Sequence, residues 1–102
     1  MLKFEWDDHK NASNIKKHKI SFAEAKTVFL DENALLIYDP DHSETEDRFV
    51  LIGSSYKANV LVVCHCYKQD EEIIRIISCR KATKNERNTY GEQINEKRIQ
   101  LH

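Results

Sequence analysis

The 102-residue sequence predicts an α+β fold: two N-terminal helices, a four-stranded antiparallel sheet and a C-terminal helix. Three observations carry that reading. Two capping boxes, Ser21-Phe-Ala-Glu24 and Thr83-Lys-Asn-Glu86, mark helix starts on either side of the middle of the chain. Between them lie four β-rich runs, residues 34–39, 48–53, 60–67 and 73–80. The polar stretches joining these runs fall short of the roughly a dozen residues a helical crossover needs, so successive strands pair antiparallel.

Taken in order, residues 4–6 are a candidate short strand ahead of the first helix. Asp7 or Asp8 can cap that helix, which runs to about residue 18 and has a thin apolar face of Trp6, Ala12 and Ile15. In the second helix, Ser21 and Glu24 are expected to satisfy each other's orphan backbone donors, with Phe22, Ala25, Val28 and Phe29 as one stripe. The last helix carries Thr83, Arg87, Tyr90 and Ile94 on one face, and Gly91 weakens it by about 1 kcal/mol relative to Ala. The helices are expected to pack on one face of the sheet. With two Gly and one Pro there is no linker, so residues 1–102 are expected to be a single domain.

Composition narrows the classes. A chain 40% hydrophobic and 32% charged is neither disordered nor membrane-spanning, and its longest apolar runs are five residues. The opening MLKFEWDDHK lacks the apolar stretch of a secretory signal, which predicts a cytoplasmic protein. Three cysteines are an odd number, and Cys64-His-Cys66 on a strand does not have zinc-ligand spacing, so buried thiols without metal are expected. The net charge of −1 conceals a polarised chain. Residues 31–47 hold seven acids and no Lys or Arg, whereas residues 75–102 hold seven bases against three acids. An anionic ligand responds to such a local patch rather than to the sum.

Several strings resemble the BrnT toxin family. They are Phe4-Glu-Trp-Asp7, Lys10, Asn14, Lys17-His18, Ser21-Phe22, Glu24-Ala25 and Val28-Phe29 with Asp31, then His42-Ser43, Glu46, Arg48, Ile52-Gly53, RIISCRKAT over 75–83, Glu86-Arg87 and Tyr90. The match runs in order over residues 4–90. The resemblance implies a metal-independent endoribonuclease toxin of a type II toxin–antitoxin pair, with a RelE-like fold and no cofactor. Such a toxin would inhibit translation and growth until bound by its antitoxin, as the resemblance implies. The implied partner is a BrnA-like antitoxin with a ribbon-helix-helix part, through which alone operator DNA would be bound. Three positions depart from the family's pattern. Lys19 and Ala58-Asn59 stand where Gly and Gly-Arg are usual, and Cys79 replaces Ala.

RNA cleavage without metal requires a base at the 2′-hydroxyl, cations for the phosphorane and an acid for the departing 5′-oxygen. Arg48, Arg75 and Arg80 are the candidate phosphate ligands. Arg75 and Arg80 fall on opposite faces of a regular strand, and either a bulge near Ser78 or an end of the strand at Cys79 is needed to bring them together. His42, among Asp39, Asp41 and Glu44, is the candidate general acid. His18 is the alternative imidazole, although its place at a helix end also suits dipole capping. Lys81, Lys84, Arg87 and Tyr90 are candidate RNA contacts, and Tyr90 is equally a candidate core residue. The competing class is a non-catalytic RNA- or antitoxin-binding module with a toxin-like fold; the three arginines and His42 favour the enzyme.

Overall fold

Val60–Lys68 (β4) and Ile73–Lys81 (β5) form the longest ladder of the sheet in this computed structural model, which describes residues 2–42 and 46–100, with side chains described for 2–41 and 46–97. Around them lie Lys3–Glu5 (β1), Leu35–Asp39 (β2) and Arg48–Ser54 (β3), in the order β1-β5-β4-β3-β2. The meander from β2 to β5 is antiparallel, as the short connections require. The sheet nevertheless has five strands and is mixed, because β1 joins as a parallel neighbour of β5. A three-residue strand carries too little pattern to declare its partner or direction.

Helix α1, Asp8–His18, starts where Asp7 accepts from the Lys10 N–H at 3.1 Å. Its one buried residue is polar, and its apolar face is indeed thin: Ile15 is largely exposed. β1 pairs only with residues 73–75, so beyond that point the outer edge of β5 has no strand beside it. Asn14 fills the gap. Its Oδ1 accepts from the Cys79 N–H at 3.1 Å, and its Nδ2 lies 2.9 Å from both the Cys79 and Ile20 carbonyl oxygens.

Helix α2, Phe22–Thr27, continues into a 3-10 turn, Val28–Leu30. Phe22, Ala25 and Val28 are buried against Leu51, Leu61, Val63 and Ile76. The expected reciprocal capping box forms only by half. Ser21 Oγ accepts from the Glu24 N–H at 3.0 Å, but the buried Glu24 carboxylate turns inward to the β3–β4 hairpin, accepting from Ser55 Oγ at 2.7 Å and Asn59 Nδ2 at 2.9 Å. Those tertiary partners outcompete a local backbone donor that water can serve.

Helix α3, Lys84–Gln100, covers the opposite face of the sheet, where Ala82, Tyr90 and Ile94 meet Ile52 and Val62. The helices thus occupy both faces, not one. Strand alternation explains why: β3 and β4 are apolar on both sides. Where β3 passes under Asp31 there is no room for a side chain, since a Cβ on Gly53 would stand 2.9 Å from Ala34 Cβ and Val28 Cγ1.

Both family-glycine departures fall on left-handed backbone: Lys19, the C-cap of α1, has φ 63°, and Ala58, in the β3–β4 turn, has φ 61°. An L side chain is strained there by about 1–2 kcal/mol. Lys19→Gly and Ala58→Gly should therefore each raise the unfolding free energy, by about 0.5–1 kcal/mol in urea titrations. Asn14→Ala, which leaves buried Cys79 backbone groups unpaired, should lower it by about 2–4 kcal/mol.

Candidate active site

A one-residue irregularity in the β4–β5 ladder builds the site. Cys64 pairs with Ser78 and His65 with Ile76, leaving Ile77 without a partner. This bulge shifts the alternation between residues 75 and 80. Arg75, opposite Cys66, and Arg80, opposite Val62, therefore share the face from which Arg48 also projects.

On that face a cavity of about 310 Å³ is lined by His18, Asp39, Arg48 and Arg80, with Val50, Val62 and Cys64 as its floor and Ser78 at its side. Arg48 starts β3 and Asp39 ends β2, and the two are register partners. His18 arrives from the last turn of α1, which the Asn14 clamp holds against β5. A second cavity of about 290 Å³ shares His18, Ile77 and Ser78 with the first and is otherwise lined by His9, Lys10, Ser13, Asn14 and Lys17 of α1. Together they form a cationic track running from β3 across the edge of β5 and along α1.

Arg80 is held rigidly. Its Nη1 and Nη2 donate to the two Glu86 oxygens at 2.7 and 3.0 Å, while Glu86 also accepts from the Thr83 N–H at 2.8 Å and Thr83 Oγ1 accepts from the Glu86 N–H at 3.2 Å. The second capping box is thus complete, and the guanidinium is fastened to it. The hydrogen bond from Arg80 lowers the Glu86 pKa to about 2, and that to Glu86 raises the Arg80 pKa.

Arg75 shares the face but not the cavity: it forms an ion pair with Glu5, its register neighbour on β1. Lys81, Lys84 and Arg87 are exposed around the start of α3 and line neither cavity; Arg87 Nη1 donates to the Ala82 carbonyl at 2.9 Å. Tyr90 is a core residue, only 8% exposed, with its hydroxyl donating to Asp31 at 2.5 Å; burial first, and then that carboxylate, push its pKa up to about 12. It presents no ring to a base. His42 closes a 3-10 turn, Pro40–His42, and its side chain lies outside the described residues.

The remaining chemistry-bearing groups are quiet. Buried His65 packs edge-on to Phe29 and Tyr67, and burial lowers its pKa, so it is neutral. Burial raises all three thiols, Cys79 to about 12. Among the described residues no three of His, Cys, Asp and Glu are placed to hold a metal, and no helix is long and apolar enough to cross a membrane. Asp39, Ser78 and Lys10 were not singled out as site residues by sequence reasoning. A strand-end acid facing a strand-start arginine is a signal only once the β2–β3 register is known.

An arginine-lined cavity on one face of an α+β sheet suits an anionic ligand such as a phosphate group. The sequence profile described as "Ribonuclease toxin, BrnT, of type II toxin-antitoxin system" matches residues 6–86. The chain belongs to this BrnT family of ribonuclease toxins. It is similar to the crystal structure of the Brucella abortus ribonuclease toxin BrnT, with a TM-score of 0.61 and 26% identity, over 82% of this chain and 100% of that one. No curated protein matches it.

The Glu86 linkage is measurable. A carboxylate whose pKa falls from 4.5 to about 2 on folding adds stability that is present above about pH 4.5 and is lost as pH falls towards 2. Wild type should therefore lose more stability than Glu86→Gln between about pH 6 and pH 3. Equal losses in parallel urea titrations would place the ion pair outside the folding equilibrium.

Proposed function

We propose that the chain, as a single toxin domain in the cytoplasm, cuts RNA in the cavity between Arg48, Arg80 and His18, without a metal ion. The convergence of two arginines from separate strands with an imidazole from α1 on one concave surface carries this reading. The two guanidiniums supply positive charge where a phosphorane would build up negative charge. His18 gives the 5′-oxygen its proton, and the carboxylate of Asp39, which lines the same cavity, takes one from the 2′-hydroxyl. Lys10 and Lys17 extend the cationic track for the adjoining single strand.

The partner under this reading is a BrnA-like antitoxin with a ribbon-helix-helix DNA-binding part. Its acidic segment meets Lys81, Lys84 and Arg87, whose exposure suits a protein contact better than a cleavage site.

Purified protein should cleave single-stranded RNA in EDTA, and Arg48→Ala and Arg80→Ala should each lose about 10²–10³ in rate, whereas Arg75→Ala should lose far less. A descending limb in the pH–rate profile should vanish in His18→Gln and persist in His42→Gln. Activity abolished by EDTA and restored by magnesium would overturn the metal-free chemistry. Loss of the limb in His42→Gln alone would move the acid to that loop.

A further inference from the structure

The sheet has two edges, β1 and β2, and they differ. β1 is three residues long, and α1 follows it across the rest of β5. β2 is five residues long, with Leu36, Ile37 and Tyr38 exposed by 55, 44 and 48%. Alternation sends Leu36 and Tyr38 to one face and Ile37 to the other, so half-exposed apolar side chains stand on both sides of the strand, with Tyr38 edge-on to Phe49. Edge strands are ordinarily blunted by charge, proline or a bulge. Here the only charge within the strand is Asp39 at its end, and pairing with β3 is unbroken from Leu35–Ile52 to Asp39–Arg48. The far side of β2 thus offers a straight row of main-chain donors and acceptors to an added strand.

We propose that β2 is a docking edge for the antitoxin, an extended segment of which adds a sixth strand to the sheet. The inference rests on the toxin–antitoxin reading and assigns to it a surface distinct from the basic start of α3. The surrounding charge selects the occupant. Residues 31–47 contain seven acids and no base, and of these Glu32, Asp41 and Asp47 are exposed around the strand's ends. A second copy of this chain would set two such segments against each other, so self-pairing is opposed. A segment with alternating aliphatic residues and Lys or Arg at its ends matches both the apolar faces and the acidic flanks. The position also links docking to inhibition: Asp39 ends β2 and lines the Arg48–Arg80 cavity, so a strand laid along β2 delivers the partner chain to the cavity mouth.

Hydrogen–deuterium exchange of the toxin alone and of the purified toxin–antitoxin complex tests the assignment. Amides within residues 35–39 should exchange at least tenfold more slowly in the complex. The double variant Leu36→Lys/Ile37→Lys should weaken antitoxin binding at least tenfold while leaving RNA cleavage and the melting temperature of the free toxin unchanged. Unaltered exchange at 35–39 in a complex that protects other toxin segments would overturn the proposal. Protection that rises with toxin concentration in the absence of antitoxin would also overturn it, assigning the edge to a second copy. Both readouts are of binding, so they stand whether or not the cavity cuts RNA.

Discussion

The amide of Asn14 occupies the place of a missing strand. β1 ends at the level of Arg75, and without a substitute the outward N–H and C=O of Cys79 would be buried beside α1 with no partner. One side-chain amide supplies both a donor and an acceptor, as a neighbouring strand residue would. The rest of the site depends on it. The clamp draws the middle of a polar helix against β5, and four residues further on the same helix delivers His18 to the cavity while Lys17 and Lys10 stay in the adjoining track. Helix α1 has almost no apolar face to hold it there by burial alone. Its sequence is therefore free to be basic, which the proposed RNA track would require.

The second constraint is the bulge at Ile77. A regular strand would set Arg75 and Arg80 on opposite faces and bury one of them among the α2 contacts. The extra residue restores them to one face, and Glu5 and Glu86 then divide their roles. Arg75 fastens the short β1 to β5. Arg80 is gripped by the carboxylate that also caps α3, so the helix N-terminus and the guanidinium are one hydrogen-bonded unit. In the proposed role such an arginine would lose little side-chain freedom on meeting a phosphate, because Glu86 has already oriented it. The same ion pair would compete with that phosphate for the guanidinium's charge.

Much of this was legible from residue patterns. The capping residues Asp7, Ser21 and Thr83 start the three helices, and the four β-rich runs end within a residue or two of β2 to β5, because these are local signals of backbone satisfaction and apolar alternation. What the patterns could not give is non-local. Glu24 sits in a perfect capping-box spacing yet serves the β3–β4 hairpin. Tyr90, one turn from Arg87, looks equally suited to a base or to the core until Asp31 is found within reach. Arg48, Arg80 and His18 meet through the sheet register, and neither that register nor the direction of β1 is written in any short window.

Polarisation of the chain is accordingly less a matter of two opposed patches than of where acids are spent. Asp31 is held ionised although burial opposes it, because the Ser54 N–H, the Tyr90 hydroxyl and the Asn33 N–H outweigh that cost, and it thereby ties α3 to β3 above the gap left by Gly53. Asp39 faces Arg48 across the β2–β3 pair, and Glu46 accepts from Lys68 at 2.6 Å. Other acids that structure consumes lie toward the sheet; the exposed Glu32, Asp41 and Asp47 lie around the ends of an apolar edge, Asp47 accepting from the Tyr38 hydroxyl at 3.1 Å. On the proposed assignment, an acid-flanked edge would repel RNA and a second copy alike while the cationic track on α1 would stay open to phosphate. Substrate and protein partner would then meet different surfaces of one small chain that adjoin at Asp39.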